Sequence, residues 1–253
     1  MSGHSKWATI KRKKGATDAA RGRLFTRLGK EITIAARAGG GSPEGNPRLR
    51  LAIQTAKANN MPSDNIKRAI QRGTGELPGV SYEEVTYEGY GPGGVAIIVE
   101  AVTDNANRTV SEMRYVFSRN NGNLGSAGSV GWMFHRKGSL TVPKAAQKVP
   151  FTEDDIMGII LEAGADDMQT DADAYLITTS PHAFDTVKKA LEDKGVVTEN
   201  ASLQMVPQNT VKIAGREAEQ VLKLMEAIEE HDDVQNVYAN FDIDEKDLAA
   251  ING

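Results

Sequence analysis

The sequence predicts an α+β protein: an N-terminal small helical bundle plus two ferredoxin-like α+β domains, one inserted in the other. Three observations predict it. Helical periodicity with clear stops fills residues 18–73. Glycine- and proline-bearing breaks at 73–75 and 77–79 then give way to β-rich runs separated by single helices. Finally, the stretch from a strand at 139–142 to a strand at 196–206 closes by itself as βαββαβ, with two strands and a helix before it and a helix and strand after it. The domains are therefore expected at 1–75, at 80–133 plus 207–245, and at 134–206.

The first helix spans 18–38 and stops at Gly39-Gly40-Gly41. At 100° per residue, Leu24, Phe25, Leu28, Ile32, Ala35 and Ala36 share one side, while Arg23, Arg27, Lys30 and Arg37 share the other. That division predicts one face for a core and one for phosphate. Pro47 suits the first turn of a second helix, which stops at Asn59-Asn60. Ser63 is the expected N-cap of a third, running to Gly73. Strands follow at 84–88 and 95–102 around Gly89-Tyr90-Gly91-Pro92-Gly93-Gly94, then a helix at 107–118. Residues 130–134 and 139–142 read as a strand pair turning at Arg136-Lys137-Gly138. Beyond them come a helix capped by Thr152, a strand near Met168, a strand at 175–178, a helix at 182–193 and a strand at 196–206. A helix at 216–230 and a strand at 234–238 close the series.

Charge is divided unequally over the 253 residues. Residues 1–80 hold 7 Lys and 9 Arg against 5 acids, a net of +11, and residues 81–253 hold 14 basic and 29 acidic residues, a net of −15. A basic end neutralises polyanion phosphates and releases their counterions, whereas an acidic body is repelled. The pattern points to a nucleic-acid partner, DNA or RNA, held by one end. The acidic α+β domains suit a basic protein partner, and they also serve plain solubility. No apolar run approaches a membrane span and no secretory leader pattern follows the basic start, so a soluble, cytoplasmic protein is expected, with no membrane partner. With no cysteine, disulfides, thiolate nucleophiles and Cys-based metal sites are excluded.

The opening Ser2-Gly3-His4-Ser5-Lys6-Trp7, the run Asp18-Ala19-Ala20-Arg21-Gly22-Arg23-Leu24-Phe25, the pair Asn46-Pro47 and the turn Asn59-Asn60-Met61-Pro62 closely resemble the YebC family. The likeness recurs at Tyr87-Glu88-Gly89-Tyr90-Gly91-Pro92-Gly93-Gly94, Asn107-Arg108-Thr109 and Gly122-Asn123-Leu124-Gly125, and spans essentially the whole chain. The resemblance implies a helical domain and two α+β domains. It also implies a DNA-binding transcriptional regulator, or, from the family's mitochondrial and some bacterial relatives, a translation activator at the ribosome. Members often carry His-Arg where this chain has Arg12-Lys13, and Lys at Arg21 or Arg27, exchanges that retain charge.

The expected phosphate contacts are Lys6, Lys11, Arg12, Lys13, Lys14, Arg21, Arg23, Arg27, Lys30 and Arg37, with Trp7 placed either to stack on an unpaired base or in a core. The Gly89–Gly94 run lacks the Lys-Ser/Thr of a P-loop and reads as a strand-to-strand turn. His4, His135, His182 and His231 share no metal-ligand spacing, so neither a metal nor a cofactor is expected. The acid pairs Glu83-Glu84, Asp154-Asp155, Asp166-Asp167 and Asp232-Asp233 match a two-metal nuclease only remotely, since no neighbouring Lys or His motif supplies a nucleophile or general acid. The expected function is non-enzymatic, with no catalytic residues.

Overall fold

The structure is a computed structural model and describes residues 18–252, which fall into two compact units. One takes the described residues up to Trp132 together with those from Asn209 onward, and the other is Met133–Gln208. In the first unit, helix α1 (Asp18–Gly39) packs against both α2 (Pro47–Ala58) and α3 (Ser63–Thr74). Leu28, Ile32, Ala35, Leu49, Ala52, Ala56, Ile66 and Ala69 are buried between them, the phase their spacing demands. Asn46 ties the turn together. Its Oδ1 accepts from Leu49 N at 3.0 Å, capping α2, and its Nδ2 donates to Ala35 O at 2.7 Å and Gly40 O at 2.9 Å. Gly73 permits the close approach of α3 to α1, since a Cβ there would lie 2.4 Å from Thr33 O. The α3 N-cap is Pro62 rather than Ser63. The Pro62 carbonyl takes the Ile66 N–H at 3.2 Å, which places Ser63 inside the first turn.

Strand β1 (Glu83–Tyr90) pairs antiparallel with β2 (Ala96–Thr103) in the register Tyr87↔Val99. Between them Gly93 and Gly94 adopt φ of 69° and 75°, so this tight turn uses its glycines for backbone conformation. Helix α4 (Ala106–Arg119), N-capped by Asn105, leads to the two-residue strand β3 (Asn123–Leu124) on the outer edge of β1.

The second unit is one βαββαβ module: β4 (Phe134–Pro143), α5 (Glu153–Glu162), β5 (Ala165–Thr170), β6 (Ala174–Thr179), α6 (Phe184–Asp193) and β7 (Glu199–Pro207). Its sheet order, β5-β6-β4-β7, is all antiparallel, the ferredoxin-like arrangement, and Leu140, Ile156, Ile177, Val187 and Leu191 are buried between sheet and helices. Thr152 and Asp155 form a reciprocal capping box at the start of α5. The expected strand pair around Gly138 is a single strand, β4, hydrogen-bonded on both sides. Gly138 is there for clearance, since a Cβ would lie 2.2 Å from Thr179 Oγ1 and 2.6 Å from the Phe184 ring.

The chain then returns to the first unit through β8 (Val211–Lys212), α7 (Gly215–Glu229), β9 (Val234–Ala239), β10 (Phe241–Asp242) and α8 (Glu245–Asn252). Strand β9 completes the sheet β3-β1-β2-β9, and β10 pairs in parallel with β8. Ile97, Val99, Met113, Phe117, Val221, Leu224, Met225 and Val237 form the core beneath α4 and α7. The strands β3, β8 and β10 and the helix α8 add to the elements expected from the sequence.

Candidate nucleic-acid interface

Lys6, Trp7, Lys11, Arg12, Lys13 and Lys14 lie outside the described residues. Of the remaining expected contacts, Arg21 is exposed near the start of α1. The other four belong to the stripe of α1 opposite its core, and that stripe faces protein. Lys30 is 8% exposed, and its Nζ donates to Asp233 Oδ1 at 2.7 Å, to Asp232 O at 3.0 Å and to Val102 O at 3.1 Å. Arg27 donates to the Glu229 carbonyl, and burial lowers its pKa from the usual arginine value. Arg37 donates to Ser81 Oγ at 2.9 Å and to the Tyr82 carbonyl, while Arg23 stands 3.9 Å from Glu230.

The reading of this face as a phosphate surface is therefore corrected for Lys30 above all. A buried ammonium with three oxygen partners meets a phosphate only by giving those partners up. Helical phase shows which residues oppose a core, but here Arg23, Arg27 and Lys30 meet the acidic 229–233 segment, supplied from the far end of the chain, and Arg37 meets Ser81 and Tyr82.

Asp233 is the centre of that contact. Its Oδ2 accepts from Arg108 at 2.8 Å and from Thr109 Oγ1 at 2.8 Å, while Oδ1 takes Lys30. Burial acts to raise its pKa, but hydrogen bonds from Lys30, Arg108 and Thr109 outweigh it and hold the carboxyl well below the usual carboxylate range. A polar cleft of about 520 Å³ opens beside it, and Glu112, His231 and Asp233 offer ligand atoms within 4.8 Å of one another. Those atoms are already committed. His231 Nδ1 accepts from Asp233 N at 3.1 Å, which leaves Nε2 as the donor to Glu112 at 2.8 Å, and both Asp233 oxygens are engaged. The arrangement fits an ion-pair latch better than a metal centre.

Exposed positive charge lies elsewhere on the bundle. Arg50 and Lys57 stand seven residues apart on the outer side of α2, and on α3 Lys67 and Arg68 lie away from Ile66 and Ala69, with Arg72 on the flank. All five are exposed, and among the described residues none forms an ion pair. By contrast, Arg48 forks between Glu31 at 2.8 Å and Glu84 at 2.6 Å, hydrogen bonds that raise its pKa. Residues 47–74 carry six basic residues against Asp64 alone. A four-residue turn joins the two helices, with Asn60 left-handed at φ 59° and Met61 buried beneath it. Two short helices on such a turn, bearing outward cations, can track a phosphate backbone. Charge density along the sequence passes over these five, because they are more widely spaced than the cations before residue 31. Their signal is a segment, 47–74, in which six basic residues meet a single acid.

The comparisons with known proteins cover nearly the whole chain. A family model described as "TACO1/YebC protein N-terminal domain" matches residues 5–76, and one described as "TACO1/YebC second and third domain" matches residues 82–241. The chain is 57% identical over 253 residues to a "probable transcriptional regulatory protein" of Koribacter versatilis, covering 100% of both chains. It is 58% identical over 252 residues to one of Solibacter usitatus, again covering 100% of each. Among solved structures it is similar to a conserved hypothetical protein from Aquifex aeolicus, with a TM-score of 0.82, 49% identity, and coverage of 90% of this chain and 93% of that one.

Proposed function

Because the chain belongs to the TACO1/YebC family, we propose that it is a non-enzymatic, cytoplasmic, nucleic-acid-binding regulator of gene expression that acts on DNA in transcription. The observation that carries this reading is the set of five exposed cations on α2 and α3, without ion pairs among the described residues and held on a packed helical bundle at the basic end of an otherwise acidic chain. The relatives' names as transcriptional regulators support the choice of process. The polar cleft supports no hydrolytic role, since its one His is committed to Glu112 and a backbone N–H. Phosphate contacts fix register and orientation without reading sequence. Selection of a target therefore falls to a second contact on the α+β domains.

A second reading, translation activation at the ribosome, draws on the net charge of −15 over residues 81–253, which suits a basic ribosomal-protein surface better than a bare duplex. The test is crosslinking and sequencing of everything the chain binds in cells, beside competition binding to duplex DNA, structured RNA and intact ribosomes. Promoter reads and a duplex preference bear out the transcriptional reading. Ribosomal RNA reads and a ribosome preference at physiological salt replace it with the second. A chain that binds none of the three refutes both.

A further inference from the structure

The largest exposed hydrophobic side chain among the described residues is Trp132, at 67% exposure. It ends a loop that begins after β3, and the loop is braced at several points. Glu88, on β1, accepts three backbone N–H bonds from it: Gly128 at 2.8 Å, Val130 at 2.7 Å and Gly131 at 2.7 Å. Burial acts to raise the Glu88 pKa, but those three amides outweigh it and hold the carboxylate ionised. Gly125 N donates to Glu88 O at 2.8 Å, and Val130 is fully buried as the anchor. The Ser129 carbonyl then accepts twice, from Tyr90 OH at 3.0 Å and from Trp132 Nε1 at 3.2 Å.

The indole is thus satisfied at its polar edge and fixed in place, yet left in solvent. Exposing a large ring costs free energy, so bracing of this kind is what a contact surface needs and a core does not. Charge narrows the occupant. Asn120–Phe134 is a run of 15 residues without a single charge, in a chain of which 25% is charged. Arg119, exposed and without an ion pair among the described residues, stands directly before it. The loop itself presents no acid to a polyanion, and the Glu88 carboxylate beneath it is taken up by three backbone N–H groups.

We propose that Trp132 is a stacking platform for an unpaired base of DNA or RNA, a second contact beyond the cations of α2 and α3. The proposal rests on the nucleic-acid reading above and supplies the part of it that phosphate contacts lack. Glu88 is a positioning residue, holding the loop that aims the ring.

The test uses the full chain and its Trp132→Ala and Trp132→Phe variants. The probes are short oligothymidylate, oligouridylate, an abasic strand with the same phosphates, and a blunt duplex. Loss of one stacked base weakens base-bearing strands about 5- to 150-fold, the equivalent of about 1–3 kcal/mol. The expected result is a loss of that size for Trp132→Ala, no change with the abasic strand or in the salt slope, and recovery of most of the affinity in Trp132→Phe. In a Trp7→Phe background, base-bearing strands should quench Trp132 emission. Glu88→Gln should give a partial loss of affinity. An oligodeoxyuridylate and the uridylate strand differ only in the 2′-OH, and whichever of them binds tighter identifies the source of the base. An equal loss on the abasic strand, or no loss at all, overturns the proposal. If Trp132 proves silent while the chain binds nucleic acid through α2 and α3, Trp132 passes to a protein contact and the functional reading stands. If the unaltered chain binds no nucleic acid, both fall.

Discussion

Neutralising Lys67, Arg68 and Arg72 together separates the two basic faces of the helical bundle. Each phosphate contact contributes about −0.9 to the slope of log affinity against log salt on duplex DNA. Three exposed cations on α3, without ion pairs among the described residues, therefore make the slope shallower by about 2.7 when changed to Ala. Across a fourfold rise in salt the unaltered chain loses about 40-fold more affinity than the triple variant. The control is Lys30→Met, whose ammonium already binds Asp233, Asp232 and Val102. It should leave the slope unchanged while lowering stability. Fluorescence anisotropy with a labelled duplex at a series of salt concentrations measures both, with circular dichroism to confirm that each variant is folded. A slope that stays put in the α3 variant and falls with Lys30→Met would mean that α1, freed from the latch, is the binding face.

Asp233→Ala leaves Lys30 buried without its counterion, and about 3 kcal/mol of stability should be lost in chemical denaturation, less than the worst case because two carbonyls still hold the ammonium. The same carboxylate gives an acid signature. Its folded pKa lies below its ordinary value of 3.8, so its contribution is complete above about pH 4 and is lost as pH falls through the depressed value. The unaltered chain should therefore resist acid to a lower pH than Asp233→Asn, and coincident acid transitions would refute the latch. Gly138→Ala forces Thr179 and Phe184 aside and should destabilise the inserted unit by about 1–3 kcal/mol, read as earlier loss of its amide protection in hydrogen exchange. Asn46→Ala removes the α2 cap and the ties to two carbonyls of the α1 end, with an expected cost of about 2 kcal/mol by urea titration.

The helices are legible because Leu28, Ile32 and Ala35, or Ile66 and Ala69, carry a 3.6-residue period that only one face can satisfy. The βαββαβ order of the inserted unit is legible from alternation alone. Gly138 misleads because a glycine required for clearance looks the same in sequence as one required for a turn. Strands of two residues, such as β3 and β8, are too short to show a period at all. At the interface, helical phase identifies the basic side of α1 but cannot reveal its neighbour. Asp233 lies 203 residues away from Lys30, a pairing that tertiary structure alone creates. Trp132 escapes notice for a related reason, since the loop that carries it is held by bonds to Glu88 and from Tyr90.

The insertion also orders events in time. Phe134 pairs with Pro207, and Gln208 N donates to Met133 O at 2.8 Å, so the inserted unit begins and ends side by side and is complete as soon as β7 has been made. Its host is not, because β2 is flanked in the finished sheet by β9, which is synthesised after the whole insert. At about 5–20 residues per second, the 203 residues between Lys30 and Asp233 take roughly 10–40 s to emerge. Throughout that interval Arg27 and Lys30 lack the partners at Glu229 and Asp233 that they have in the finished fold. The acids at 229–233 arrive last, and with them the chain covers the most basic side of its first helix.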